Sequence, residues 1–162
     1  YIQCAKLLSF PHLSNKICKS FANKIKKNFK KIALILAPAM GGIIIGYEVG
    51  RILKKETIFC ERVSGKFKLR RGFNIKKNSR VVVIEDVITT GKSSEECITA
   101  IKKYEAKVVG LFSIVNRSVH DIDHKVLTYS LLTLKAPLYE PNKVPESLRK
   151  IPIKKPGSRF LN

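Results

Sequence analysis

Three short apolar runs, Ile32 to Ala37, Arg80 to Ile84 and Val108 to Val115, are separated by segments of helical periodicity. This alternation constrains the fold more than any other feature of the chain. A continuous apolar run of this length suits a strand buried on both faces. Leu13, Ile17, Phe21 and Ile25 recur every four residues with lysines between them, which predicts an amphipathic helix over 13–31. Pro38 stops the first strand, and Gly41-Gly42 leads into a helix that runs through Leu53. Thr89 to Ser94 reads as a turn, followed by a helix from Ser94 to Tyr104 with Ile98 and Ile101 inward. Thr57 to Cys60 and Val126 to Leu134 read as further strands, and Tyr1 to Ala5 alternates like another. Glu61 to Lys77, with Ser64-Gly65 as its turn signal, reads as an exposed hairpin or loop. From Ala136 onward the chain carries five of its seven prolines and is expected to be irregular. Strands alternating with helices in this way predict an α/β fold: one mostly parallel sheet flanked by helices, with 1–162 forming a single domain.

Composition narrows the function classes. The net charge is +20, but the basic residues are 24 Lys and 8 Arg, and no recognition motif accompanies them. Nucleic-acid contacts favour Arg for base and bidentate phosphate recognition. Lysine-rich solvated faces are therefore expected, not a nucleic-acid partner, and the field would also steer a small anionic substrate. The longest apolar stretch, around Ile43 to Ile45, is far short of a membrane span, and no leader pattern opens the chain. No membrane contact and a cytoplasmic location are expected. Cys4, Cys18, Cys60 and Cys97 are widely spaced with no Cys-x-x-Cys, so packed, reduced thiols are expected in place of a metal or disulfide framework. The chain starts at Tyr1, which fits a start inside a longer protein.

In open parallel sheets ligands lie beyond the carboxyl ends of the strands. Three segments fall at those ends: Pro38 to Gly42, Glu85 to Ser93 and Asn116 to Ser118. The second carries the most chemistry. An apolar strand, Val81 to Ile84, leads into Glu85-Asp86-Val87-Ile88-Thr89-Thr90-Gly91-Lys92-Ser93 and the start of a helix. Backbone N–H groups at a helix N-terminus, beside Thr and Ser hydroxyls, form an anion site, and Gly91 allows close approach. Two carboxylates beside such a cradle would repel a bare phosphate. They suit a ligand that also presents hydroxyls and a cation-like centre, as a ribose phosphate does. Gly91-Lys92-Ser93 imitates the end of a nucleotide P-loop, but the residue five positions before Gly91 is Asp86 where that pattern needs Gly.

Val81 to Ser93 resembles the phosphoribosyl diphosphate signature of the type I phosphoribosyltransferases across thirteen contiguous residues. Further segments are similar to the orotate-using members of that family, in a short-chain bacterial branch. Ala37-Pro38-Ala39-Met40-Gly41-Gly42-Ile43-Ile44-Ile45-Gly46-Tyr47-Glu48 is similar to their diphosphate-binding loop and the helix after it. Phe59-Cys60-Glu61-Arg62 with Leu69-Arg70-Arg71-Gly72-Phe73 resembles their mobile catalytic loop, and Lys155 to Arg159 resembles their C-terminus. Asn116-Arg117-Ser118 sits where the family has an Arg that contacts orotate.

The resemblance implies a type I phosphoribosyltransferase fold with a mobile hairpin and, since the family has a segment before Tyr1 that helps roof the base pocket, an incomplete N-terminal hood. It implies that Glu85, Asp86, Val87, Ile88, Thr89, Thr90, Gly91, Lys92 and Ser93 hold phosphoribosyl diphosphate, and that Ala39, Met40, Gly41 and Gly42 take its diphosphate. Thr89 and Arg117 would reach orotate. Asp86, Arg62 and Lys66 would be catalytic, with Mg²⁺ entering through the diphosphate and no direct protein ligand. A homodimer is implied, with loop 62–71 acting across the interface. The residues by themselves support parts of this. Arg117 offers a planar fork suited to a carboxylate, although a surface ion pair would also account for it. The five basic residues Arg62, Lys66, Lys68, Arg70 and Arg71 read either as a solvated face or as a lid supplying positive charge. Lys92 stands where many type I enzymes have a small residue, and the loop lacks the His of longer relatives. His120-Asp121-Ile122-Asp123-His124 could tempt a metal assignment, but the spacing needs a helix where a loop is expected; His12 is expected at the surface. The rivals are a purine or uracil enzyme of the same fold and a non-catalytic RNA-binding regulator.

Overall fold

A computed structural model describes residues 2–118, 125–135, 137 and 139–152. The segments His120 to His124 and Lys155 to Arg159 lie outside the described residues. In chain order the elements are α1 (Cys4–Leu8), α2 (Pro11–Asn28), β1 (Leu34–Pro38), α3 (Gly41–Leu53), β2 (Glu56–Val63), β3 (Lys66–Leu69), β4 (Arg80–Ile88), α4 (Lys92–Lys102), β5 (Lys107–Asn116), β6 (Leu127–Thr133) and α5 (Glu146–Arg149), with a 3₁₀ turn at Pro141–Lys143.

The six strands form one sheet in the order β3-β2-β1-β4-β5-β6. Only β3 is antiparallel; it closes a hairpin with β2, so the segment expected as hairpin or loop is a hairpin turning at Ser64-Gly65. β1 lies beside both β2 and β4. Its five residues are all buried, as a central parallel strand covered on both faces must be. Leu34, Leu36, Val81, Val83 and Leu111 pack with Cys97 and Ile101 of α4, whereas Ile35, Val82, Ile84 and Phe112 pack with Phe21, Ile45 and Val49 of α2 and α3. The helix after β1 thus covers one face and the helix after β4 the other. The strand order reverses between those two strands, which in open α/β sheets marks the ligand crevice at their carboxyl ends.

Several elements differ from expectation. A strand is expected over Tyr1 to Ala5, but Ile2 and Gln3 lie outside any strand and Cys4 to Leu8 is helical; Cys4 and Leu8 are four apart and both bury on one helical face. α2 starts at Pro11, which suits the first helical position, and its buried stripe is Ser14, Cys18, Phe21, Ala22 and Ile25, with Leu13 and Ile17 only partly covered. β4 continues to Ile88, because β5 pairs with it as far as Asn116 opposite Ile88. The acidic pair therefore lies within the strand, not at its exit. All four cysteines are buried free thiols, and His12 is exposed. Among the described residues no helix is long and apolar enough to cross a membrane.

Candidate functional site

The crevice between β1 and β4 is built from two strand-to-helix turns. On the β1 side, Ala39 and Met40 join Pro38 to Gly41, the first residue of α3, through a cis Ala39-Met40 peptide. The Ala39 N–H donates to the Cys60 carbonyl at 2.7 Å, which ties the turn to β2. This turn lies directly against β4. A Cβ added to Gly41 would sit 2.6 Å from the Asp86 carboxylate oxygens, and one on Gly42 would sit 2.8 Å from the Ile84 carbonyl. Two segments widely separated in sequence thus share one wall, and glycine is what lets them meet.

On the β4 side, strand alternation sends Glu85 and Asp86 to opposite faces. Asp86 faces the turn before α3 and lies close enough to Cys4 to contribute to that thiol's rise to about 11, which burial chiefly causes. Glu85 faces α4, close enough to Cys97 to help raise that thiol. Glu85 is only 7% exposed, and its Oε2 has no hydrogen-bond partner. Burial, reinforced by the neighbouring Asp86, pushes the Glu85 carboxyl well above the usual carboxylate range. Asp86 is also raised by burial, but its Oδ1 accepts the Val87 N–H at 2.9 Å, which opposes the rise. Glu85 therefore holds a proton more readily, leaving Asp86 as the partly exposed anion.

Beyond Ile88 the chain passes Thr89 and Thr90 to Gly91, which adopts a left-handed conformation (φ 74°) and caps α4. No side chain caps the first turn; the Lys92 N–H reaches only the Thr90 hydroxyl, at a long 3.4 Å. The first-turn N–H groups thus carry no side-chain cap, and such groups can receive an anion. The Arg117 N–H donates to the Ile88 carbonyl at 2.9 Å, setting the Arg117 backbone beside Thr89. Asn116 Oδ1 accepts from the Ser118 backbone N–H at 2.9 Å and from its hydroxyl at 2.7 Å, which shapes the turn that carries Arg117. The three segments at the strand ends converge on one edge of the sheet.

The basic hairpin rises from the same edge, where β2 runs past the end of β1 at Cys60. The Arg62 guanidinium stacks on Phe67 at 4.4 Å and lies 2.7 Å from Glu96 Oε2 of α4, a charge contact without hydrogen-bond alignment. Arg71 and Arg70 lie 3.1 and 3.7 Å from Glu61. Lys66 and Lys68 are exposed and have no ion pair among the described residues. Sequence reasoning missed two features here: α1, which brings Cys4 to Asp86, and Glu96. Lys92 and Glu96 stand four residues apart in the sequence, but nothing local points to Arg62 as a partner. Among the described residues no group of three or more His, Cys, Asp or Glu could hold a metal ion.

The chain matches the family model described as the phosphoribosyl transferase domain over residues 11–143. It is similar to an orotate phosphoribosyltransferase of Thermotoga maritima, 44% identical over 161 residues, or 99% of this chain and 85% of that protein. A protein of the same name from Erythrobacter litoralis is 42% identical over 160 residues, covering 98% of this chain and 83% of the relative. Solved structures share the fold. The orotate phosphoribosyltransferase of Aeropyrum pernix superposes with a TM-score of 0.68 at 20% identity, covering 83% of this chain and 79% of that one. Adenine phosphoribosyltransferase from Thermoanaerobacter pseudethanolicus gives 0.69 at 15% identity, covering 83% and 88%.

Proposed function

As the chain belongs to the orotate phosphoribosyltransferase family, we propose that it transfers the phosphoribosyl group of 5-phospho-α-D-ribose 1-diphosphate to orotate. The products are orotidine 5-phosphate and diphosphate, a step of pyrimidine nucleotide biosynthesis. The observation that carries this reading in the structure is the close approach of Gly41 to Asp86, which would set the diphosphate of one substrate against the carboxylate facing its ribose.

The roles assigned here rest on the family resemblance and on this geometry. The first turn of α4, from Gly91 to Ser93 with the Thr89 and Thr90 hydroxyls, takes the 5-phosphate on its free N–H groups. Ala39 to Gly42 takes the diphosphate. Asp86, held as the anion while Glu85 retains its proton, accepts hydrogen bonds from the ribose hydroxyls and stabilises the positive charge that develops at the sugar as the diphosphate departs. Val87 and Ile88 supply the strand backbone that aims these groups. Thr89 and Arg117 meet orotate, the Arg117 fork matching its carboxylate. Arg62 and Lys66 bring positive charge to the departing diphosphate, and Lys66 has no ion pair among the described residues. No covalent nucleophile is required; positioning and electrostatics supply the rate. Asp86 is a single carboxylate facing the crevice, too few to cage a cation, which would leave Mg²⁺ to be held mainly by the oxygens of the diphosphate. When bound, Mg²⁺ neutralises the leaving group.

A homodimer with hairpin 62–71 acting across the interface supports the same chemistry. Met40, Ile44 and Tyr47 are 83, 51 and 65% exposed and form a helical stripe that starts in the diphosphate turn, as an interface joined to the site would require. The four reduced thiols suit a cytoplasmic location. The test is turnover of phosphoribosyl diphosphate with Mg²⁺ and each of orotate, uracil, hypoxanthine and adenine. Orotate alone should be consumed; consumption of a purine without orotate would overturn the substrate.

A further inference from the structure

We propose that Glu96 is a positioning residue that parks Arg62 of the basic hairpin against α4 until substrate draws it away. The proposal rests on the function above, which needs the hairpin's charge at the diphosphate. Arg62 has three partners in the parked position: Glu96 Oε2 at 2.7 Å, the Phe67 ring at 4.4 Å and the Gly65 carbonyl. A guanidinium so held cannot also meet a diphosphate.

Three features separate this contact from an ordinary surface pair. The Glu96 side chain is 26% exposed and its Oε2 is buried, so solvent screens this contact less than it would a fully exposed pair. The contact is short but poorly aligned for a hydrogen bond, so it is readily exchanged for a better acceptor. Its place also matters. Glu96 is one helical turn from Lys92, whose Nζ lies 3.9 Å from Glu96 Oε1, and Lys92 opens the turn that would hold the 5-phosphate. The parked guanidinium is therefore held on its own subunit's α4 and not at the partner's site, where hairpin 62–71 is proposed to act. Phosphoribosyl diphosphate, offering several anionic oxygens, competes with a single carboxylate for Arg62. Part of the binding energy is then spent on leaving Glu96, and apparent affinity falls by the fraction of molecules that are unparked.

The test compares the wild-type protein with Glu96→Gln, Arg62→Ala and the double variant. Glu96→Gln should lower the KM for phosphoribosyl diphosphate about three- to tenfold, the range expected for one exchanged charge contact. That gain should vanish in the Arg62→Ala background. Without substrate, Glu96→Gln should also speed tryptic cleavage within residues 62–71. A raised or unchanged KM with faster cleavage would overturn parking, because Glu96 would then anchor the hairpin in its working position. Unchanged cleavage would overturn the latch whatever the substrate is. Absence of turnover with orotate in the wild-type protein would count against the proposed function instead, while cleavage still decides the latch.

Discussion

Asp86 and Glu85 are adjacent in sequence yet occupy different environments, and their chemistry diverges for that reason. Asp86 has a backbone donor and access to the crevice; Glu85 has neither an aligned partner for Oε2 nor solvent. Replacing Asp86 by Asn keeps the shape and removes the charge. Because that charge matters most as the sugar becomes cationic, Asp86→Asn should lower kcat by about two orders of magnitude and change the KM for phosphoribosyl diphosphate only a few-fold. Equal losses in kcat and in binding would mean that Asp86 only holds the ribose. For Glu85 the sign is the reverse of a stabilising carboxylate. Its folded pKa is raised by burial, so between the unfolded value near 4.3 and the folded value the unfolded chain releases a proton that the native state keeps. Stability must then fall as pH rises through that window. Glu85→Gln removes the penalty, so its melting temperature should match the wild type near pH 4 and exceed it by a few degrees, about 3–6 °C, at pH 8. A difference independent of pH would show that Glu85 titrates normally.

At the scale of elements, α3 can only begin where it does because its first two residues are glycines. The two are not equivalent. A methyl on Gly42 meets the Ile84 carbonyl and the Pro38 ring, which are parts of the sheet and cannot give. Gly42→Ala should therefore destabilise the fold by about 1–3 kcal/mol, read from urea unfolding. The three atoms nearest a methyl on Gly41 all belong to the Asp86 carboxylate, a side chain that can turn. Gly41→Ala should leave stability within about 1 kcal/mol of wild type and lower kcat, because the turn would push Asp86 off the ribose. Equal stability losses in the two variants would contradict this division. The hairpin shows the limit of local reading. Its turn and its basic residues were plain in the sequence, but Arg62 opposite Glu96 is set by β3 packing on α4, a contact between distant segments.

For the whole molecule, Met40, Ile44 and Tyr47 form an exposed apolar stripe beside the site. Tyr47→Glu should convert a dimer to a monomer in light scattering and abolish most turnover if hairpin 62–71 works across the interface. A dimer that survives the substitution would place the interface elsewhere. The charge of +20 acts at this scale as well, favouring encounter with an anionic substrate without specifying it.

By itself the sequence determined the class of fold and the run from Val81 to Ser93, because strand burial, helix periodicity and a glycine before a helix are local, periodic signals. It also marked Ala39 to Gly42 and Arg117, chiefly through family resemblance. Tertiary structure decided the rest. Alternation along β4 turned the acidic pair to opposite faces, and pairing with β5 carried the strand to Ile88, past the apolar run. Reversal of strand order between β1 and β4 brought Gly41 onto Asp86. Such contacts depend on which strands become neighbours, and no pattern within one segment records that.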